Sequence, residues 1–357
     1  MTRYVYQGLK RDLVLKIAGI TKHQYYYQKK PGKQGRRPSK TCLKMVDNEI
    51  VKVMNEEVVN SITTISEDPD TDYGYHKMTF ALMLLGYIIN HKKVYRLMQE
   101  NMLLKERYER QPRPFVKYRR IIPEGPLQIL EMDIKFVWVE EHRRHAFILT
   151  VIDTFTRVLL GRKTAYNIKQ SLVQELWEEI IENHLQPYNC LNRKIDIEVR
   201  NDNDSRFVAK NVQKFFKENS LNQVFTHPYT PQENGHIESF HAILSKMLNR
   251  YRFWSLEDLD QCLTLFYEKY NNQRIHASTL HLPPMLFWQQ WQEGNVSVSV
   301  NHKRRITKFK LLIPYHQLSG NMSLQGVPCP QLKPLDGVES ENYNEKCSAA
   351  TFLQPSV

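Results

Sequence analysis

Nowhere in the 357 residues do about 18 apolar residues run together, and the start, Met1-Thr2-Arg3-Tyr4, is followed by no apolar h-region. The sequence thus offers neither a membrane span nor a secretory signal. The five cysteines, Cys42, Cys190, Cys262, Cys329 and Cys347, are odd in number, widely scattered, and form no C-x-x-C pair. That spacing excludes a disulfide framework and a thiolate zinc site, and the expectation is a reduced, cytoplasmic protein. Residues 121–357 lack any charge excess, with 26 Lys/Arg against 26 Asp/Glu.

The chain does have an ordinary globular balance, 41% hydrophobic and 25% charged, over a length that suits two or three domains. Its formal charge of +12 lies wholly in residues 1–120, which hold 24 Lys/Arg against 12 Asp/Glu. A polyanion-binding front end on an electrically balanced back end fits this asymmetry, and so does a soluble protein with a basic tail.

Residues 1–40 read as a small helical segment and a basic linker. Leu9, Leu13, Leu15 and Ile17 precede Gly19, and a second helix starts at Thr21. Lys29 to Pro38, with Arg36 and Arg37, is too rich in Pro, Gly and charge for a regular element, and its cations could follow a phosphate backbone. Residues 41–110 read as a helix-turn-helix. An amphipathic helix is expected over 43–59, closed by the acidic Ser66-Glu67-Asp68-Pro69-Asp70. A helix from Tyr73 then ends at Gly86, and another is capped by Asn90. In the last, Val94, Leu97 and Met98 make the inner face, while Lys92, Lys93 and Arg96 project outward as DNA-contact candidates. A Pro/Arg-rich linker occupies 111–125.

From Leu127 the pattern turns to strands. Leu127–Val139, His145–Thr154 and Val158–Thr164 are β-branched runs, with the charged tip 140–145 between the first two. A helix (169–184), a strand (195–199), a helix (210–219), a short strand (223–226) and a long helix (235–250) follow. The order β-β-β-α-β-α-β-α suits an α/β fold, a mixed five-stranded sheet with flanking helices, over 126–295. Residues 296–357 hold a basic patch (His302 to Arg305, Lys308, Lys310) and a Pro/Gly/Ser/Asn-rich tail expected to be largely disordered.

Three carboxylates stand out by position. Asp133 interrupts an otherwise apolar strand, which is costly unless it is paired, at an edge or metal-bound. Asp202 directly follows a strand at its carboxyl end, where open α/β sheets place their ligands. Glu238 lies in the first turns of a helix, whose dipole favours negative charge. On three elements around one sheet they could converge on two divalent ions, and hard oxygen donors without a Cys/His pattern point to magnesium or manganese.

From about 70 to 290 the chain resembles the retroviral-integrase-like core of bacterial insertion-sequence transposases, in particular the downstream-frame protein of the insertion-sequence-three family. Tyr73 to Lys77 with Asn90 to Met98 is similar to that family's helix-turn-helix segment. Glu131-Met132-Asp133-Ile134 resembles its first catalytic strand, Asn201 to Phe207 its Asp-Asn-Gly-Ser-x-Phe motif, and Asn234 to Phe240 its Asn-x-x-x-Glu-Ser-Phe motif. Residues 203–237 separate Asp202 from Glu238, a spacing of 35 that is typical of the superfamily. Tyr270 to His276 with Pro283-Pro284 is similar to the segment that closes the domain. The resemblance implies a ribonuclease-H-like fold. It implies a metal-dependent transposase with Asp133, Asp202 and Glu238 as catalytic metal ligands and two magnesium or manganese ions as cofactors. It also implies element ends and target DNA as partners, homo-oligomers on DNA, a possible upstream-frame partner protein, and a nucleoid-associated place in a bacterial cytoplasm. An inactive, DNA-binding regulator and a nuclease that only cuts stay open as alternatives.

Departures accompany the likeness. Asp204 stands where the family has glycine, as an outer-shell group, a metal competitor or a mark of decay, and strain is expected there if the turn needs positive φ. Residue 242, one turn past Glu238, is alanine, which leaves Lys246 as the nearest lysine and a DNA-contact candidate. His227, His236 and His241 flank the site, and His241, one turn from Glu238, could touch DNA, steady a carboxylate, or simply be packed or solvent-facing. Tyr229 and Gln232 precede the Glu238 helix as further DNA-contact candidates.

Overall fold

The computed structural model describes residues 2–27, 38–105, 122–188, 190, 196–227, 231–301 and 306–318. Arg36, Arg37, Tyr229, the basic run 302–305 and the tail from 319 lie outside these residues. Two units are distinct, Met1–Lys40 and Thr41–Val357.

In the first unit, α1 (Thr2–Tyr6), α2 (Arg11–Ile17) and α3 (Lys22–Tyr26) follow one another. Gly19, at φ +64°, turns the chain after α2, and Thr21 with Gln24 forms a capping box on α3.

The second unit opens with a hairpin where the hydrophobic spacing predicts a helix. Strands β1 (Thr41–Val46) and β2 (Glu49–Met54) pair from Thr41↔Met54 to Val46↔Glu49. Asp47 and Asn48, both at positive φ (48° and 65°), make the tight turn, and the β-branched Ile50, Val51 and Val53 favour a strand. Only at Asn55 does the helix α4 (Asn55–Glu67) begin. Next come α5 (Tyr75–Leu84), β3 (Tyr87–Ile88), which pairs with β1, and α6 (His91–Glu100). Gly86 is required between α5 and β3. It sits at φ +89°, and a Cβ there would lie 2.6 Å from the Met45 carbonyl oxygen. Asn90 caps α6 through the Lys93 amide, and Val94, Leu97 and Met98 are buried, as the periodicity predicts.

The central sheet is built from β4 (Ile129–Val139), β5 (Arg144–Asp153), β6 (Leu159–Ala165), β7 (Ile197–Asn201) and β8 (Leu221–Phe225), in the order β6-β5-β4-β7-β8. The first three strands are antiparallel, and β7 and β8 add in parallel, so the α/β, ribonuclease-H-like layout holds. One face is covered by α7 (Gln170–Ile180) and, beyond the short α8 (Ser205–Val208), by α9 (Lys210–Glu218). Leu130, Met132 and Val151 meet Trp177, Phe207 and Phe216 there. The other face carries α10 (Gly235–Leu248) and α11 (Leu256–Asn272), with Ile148 and Ile152 against Ile237, Leu244, Leu263 and Phe266.

A third core joins the two ends of this unit. Val58, Ile62, Leu82 and Leu97 pack with Phe155, Ile275, Phe287, Val296 and Leu318. Phe155 comes from the turn between β5 and β6, and the other partners from α12 (Pro284–Gln292) and its flanks, from a hairpin of β9 (Val296–Asn301) and β10 (Ile306–Leu311), and from the short turn of helix that follows it. Lys308 and Lys310 of the expected basic patch thus lie on β10, and the tail from 319, expected to be largely disordered, lies outside the described residues. Alternating valines in Val296-Ser297-Val298-Ser299-Val300 make a half-buried strand, a signal outweighed in the sequence by the polar residues after it. The acidic run after α4 does more than end a helix: Asp68 pairs with Lys269, and Asp70 with Arg250.

Candidate active site

The site forms where β4 loses one neighbour. Its parallel pairing with β7 covers only Ile129 to Glu131, whereas its pairing with β5 continues to Val139. Asp133 thus stands just past the point where the β7 side of β4 opens, and its carboxylate need not be buried between two strands. One carboxylate oxygen accepts the Ile134 amide at 2.8 Å, and the other lies 3.3 Å from His241 Nδ1 on α10.

Asp202 follows the last residue of β7 and accepts the Asp204 amide at 3.1 Å. Burial raises its pKa, the charges of Asp133 and Asp204 add to the rise, and Arg206 opposes it. Glu238, in the first turn of α10, is pushed up to about 7, first by burial and then by the charges of Asp133 and Glu131. The three carboxylates selected from the sequence are thus brought within electrostatic reach: Asp133 acts on both Asp202 and Glu238.

What fixes Glu238 is a residue the sequence reading passed over. Glu131, two positions before Asp133 and fully buried, accepts the His236 amide at 2.9 Å and the Ile237 amide at 2.8 Å, and lies 2.7 Å from His236 Nδ1. Its charge satisfies otherwise orphaned amides at the start of α10 and pins that helix to the central strand. The sequence carried a signal, since a second carboxylate inside an apolar strand needs a partner as much as Asp133 does. Glu233, also buried, accepts the His227 amide at 3.0 Å and so steadies the approach to α10. His236 and His241 thus both lie against carboxylates, Glu131 and Asp133.

Asp204 corrects the expectation of a strained turn. Its φ is −61°, and its side chain caps α8 by accepting the Arg206 amide and also takes the Arg206 guanidinium at 2.8 Å. That pairing holds its pKa below the usual carboxylate range. Arg206, unremarked in the sequence, lies with its guanidinium over the Phe147 ring at 5.1 Å and feels the charges of Asp202 and Asp133.

Among the described residues no three His, Cys, Asp or Glu side chains close into a ready-made metal cage. The donor set is nonetheless suited to a hard divalent cation: three oxygen donors whose mutual repulsion a cation would relieve. A cavity of about 550 Å³ lies farther along the open side of β4, lined by Lys135, Trp138, Ser245 and Arg252 among others.

The outward cations of α6 are less free than their spacing suggests. Lys93 donates to the Thr41 carbonyl at 2.6 Å, and Arg96 lies 3.6 Å from Glu100, whereas Lys92 is exposed. Lys246 is exposed on α10, two turns past Glu238. The side chain of Gln232 lies outside the described residues.

Comparison with known proteins agrees with this architecture. Residues 123–231 match a family described as Integrase core domain, residues 219–284 match a second family of the same description, and residues 54–111 match an HTH-like domain. The chain is 26% identical over 233 residues to the insertion element IS476 uncharacterized 39.2 kDa protein of Xanthomonas euvesicatoria, covering 64% of each chain. It is 24% identical over 246 residues to the putative transposase InsK for insertion sequence element IS150 of Escherichia coli, covering 66% of this chain and 83% of that one. Among solved structures, the catalytic domain of Mos1 mariner transposase is 13% identical, with a TM-score of 0.36, over 47% of this chain and 76% of that one. The HTLV-2 integrase catalytic core domain is 17% identical, with a TM-score of 0.30, over 43% and 92%. No helix among the described residues is long and apolar enough to cross a membrane.

Proposed function

We propose that the chain, which matches integrase-core families over 123–231 and 219–284 and an HTH-like domain over 54–111, is a DNA transposase of insertion elements. It cuts DNA at the ends of a mobile element and transfers the freed 3′-hydroxyl to a phosphate of target DNA. What supports the proposal most is that Asp133, just past the end of the β4–β7 pairing, acts electrostatically on both Asp202 and Glu238.

In this reading Asp133, Asp202 and Glu238 hold two divalent ions, magnesium or manganese. When bound, these ions activate the attacking water or 3′-hydroxyl and stabilise the leaving oxygen. The chain's own groups prepare that site. Glu131 fixes the start of α10, so that Glu238 faces Asp133 without rearrangement. Burial and the charges of Asp133 and Glu131 push the Glu238 carboxyl up to about 7, and a bound cation would relieve that repulsion. His241 steadies Asp133, and Arg206, held by Asp204 and the Phe147 face, offers positive charge beside the carboxylates for a DNA phosphate.

Lys92 and Lys246, exposed, are proposed DNA contacts. So are Arg36 and Arg37 in the basic linker, while Lys93 and Arg96 contribute charge from within their local bonds. The enzyme is proposed to act as a homo-oligomer on paired ends, with an upstream-frame protein as a further partner, in a bacterial cytoplasm at the nucleoid. The aligned part spans 64% of the Xanthomonas relative's length.

The test is strand transfer with oligonucleotides bearing the inverted repeats that flank the coding sequence. With magnesium or manganese the wild-type chain should nick and join, and Asp133→Asn, Asp202→Asn and Glu238→Gln should each lower joining at least a hundredfold while end binding persists. Joining above a few per cent of wild type in any of the three removes that residue from the catalytic set. Cleavage without joining points to a nuclease, and specific binding with no chemistry in any metal points to a regulator.

A further inference from the structure

Four basic side chains that the catalytic reading leaves unused gather on the short segment after α11. Lys77, on α5, donates to the Ile275 carbonyl at 3.0 Å, and Arg274 and His276 flank that same residue. Arg157, in the turn between β5 and β6, reaches Ser278 Oγ at 3.4 Å through Nε. The Ile275 amide donates to Tyr73 at 2.9 Å, which fixes the segment against the start of α5. All four basic residues are half-buried.

Part of their hydrogen-bonding capacity is not spent, although Arg274 Nη1 donates to the Asp70 carbonyl. Arg157 Nη1, Arg274 Nε and His276 Nε2 are each withdrawn from solvent and have no partner in the protein. The carboxylates nearby are engaged elsewhere. Asp70 takes Arg250 on its side chain, and Glu131 takes His236 and the α10 amides. Asp153 takes the Leu127 and Phe155 amides and the Thr156 side chain. The group feels its own excess charge. Burial and then Arg274 push Lys77 down to about 8, and burial followed by Arg274, Lys77 and Arg157 holds His276 well below its usual value. Although Glu131 and Asp153 act electrostatically on Arg157, three buried donors stay without a partner, two of them on arginines, and an anion with several oxygens would satisfy them.

We propose that Lys77, Arg157, Arg274 and His276 form a phosphate-binding site between α5 and the segment following α11, filled by a backbone phosphate of bound DNA. The phosphate chemistry follows from the donors; DNA as its source rests on the transposase reading. A phosphate held there bridges the HTH-like part of the chain to the turn leaving β5, so binding of the element end is felt by the catalytic sheet.

The experiment uses the full chain in two arms. In the first, melting is followed with inorganic phosphate against chloride at matched ionic strength and pH, without DNA. A phosphate-specific rise of about 3 °C is expected for the wild type, to be lost in Arg157→Gln and largely kept in Arg157→Lys. In the second, affinity for an element-end duplex is measured across a salt titration, and Arg157→Gln should flatten the log–log slope by about 0.9, one phosphate contact. If Arg157→Gln does not fold, Lys77→Gln takes its place with the same expectations. No phosphate-specific rise in the wild type, or an equal rise in the variants, overturns the site. A rise that depends on Arg157 with an unchanged salt slope overturns DNA as the source and leaves a site for free phosphate. A wild-type chain that fails to join DNA while still showing the phosphate-specific rise refutes the transposase reading and not the site.

Discussion

At the scale of single residues, Asp204 shows how local geometry can change the meaning of a substitution. It sits at an ordinary φ, caps α8 and holds Arg206, so its turn carries no backbone strain. Glycine is a tolerable N-cap, costing a few tenths of a kcal/mol where other replacements cost about 1 kcal/mol. Asp204→Gly should therefore fold normally and keep joining within about threefold of wild type, the remaining loss coming from a freer Arg206. Joining assays across a magnesium titration check this, and a collapse as deep as that of Asp202→Asn would move Asp204 into the catalytic set.

Lys77 yields a prediction about pH. Its ordinary value of 10.5 is lowered to about 8, so between these limits the unfolded chain binds more protons than the folded one. Stability contributed by this group therefore rises with pH across that window and is at its lowest below about 8. In Lys77→Met the penalty of burying charge beside Arg274 is gone, along with the bond to Ile275. The difference in melting temperature should consequently shift in favour of the wild type as pH is raised from 8 to 10. A difference that stays constant would show that Lys77 keeps its ordinary titration.

At the scale of elements, β4 and α10 act as a pair joined by Glu131. Removing that carboxylate leaves two helix-end amides buried without an acceptor, at about 1–3 kcal/mol each. Glu131→Ala should lower the melting temperature by several degrees and reduce joining more than tenfold, with DNA binding retained, because Glu238 loses its support rather than its chemistry. Unimpaired joining in a variant of lowered stability would show that α10 is positioned by its apolar face alone. The catalytic strands were legible because their β-branched runs are long and bounded by charged or polar turns. The β1–β2 hairpin was not, since a short apolar run fits either period and the Asp47-Asn48 turn outweighs it only once the chain is seen to reverse.

At the scale of the whole molecule, the third core sets what can be removed. Residues 1–40 form their own unit and carry 11 Lys/Arg against 1 Asp/Glu, nearly all of the excess charge. Deleting them should leave cooperative unfolding intact while weakening DNA binding and flattening its salt dependence. Deleting 1–120 instead strips Val58, Ile62, Leu82 and Leu97 from Phe287 and Val296, exposing one of three cores, and should give an aggregating product. Ending the chain at 295 should destabilise it for the same reason. Calorimetry of the three truncations decides. A 1–120 deletion that melts as sharply as the full chain would show the shared core to be dispensable.

The sequence by itself determined the alternation of strands and helices from about 127 to 250, the Asn90 cap, the Gly86 turn and the choice of Asp133, Asp202 and Glu238 as candidates. Each of these rests on local periodicity, local backbone conformation, or a motif read along the chain. What only the tertiary structure decided is everything that depends on partners distant in sequence. Glu131 caps a helix that begins about a hundred residues later, Asp204 spends its charge on Arg206 packed over Phe147, and Lys93 is tied to Thr41. The HTH-like helices, finally, share their core with a hairpin near residue 300. A buried carboxylate or an amphipathic face states in the sequence that a partner is needed. Which residue fills that need is fixed by how the chain folds back on itself.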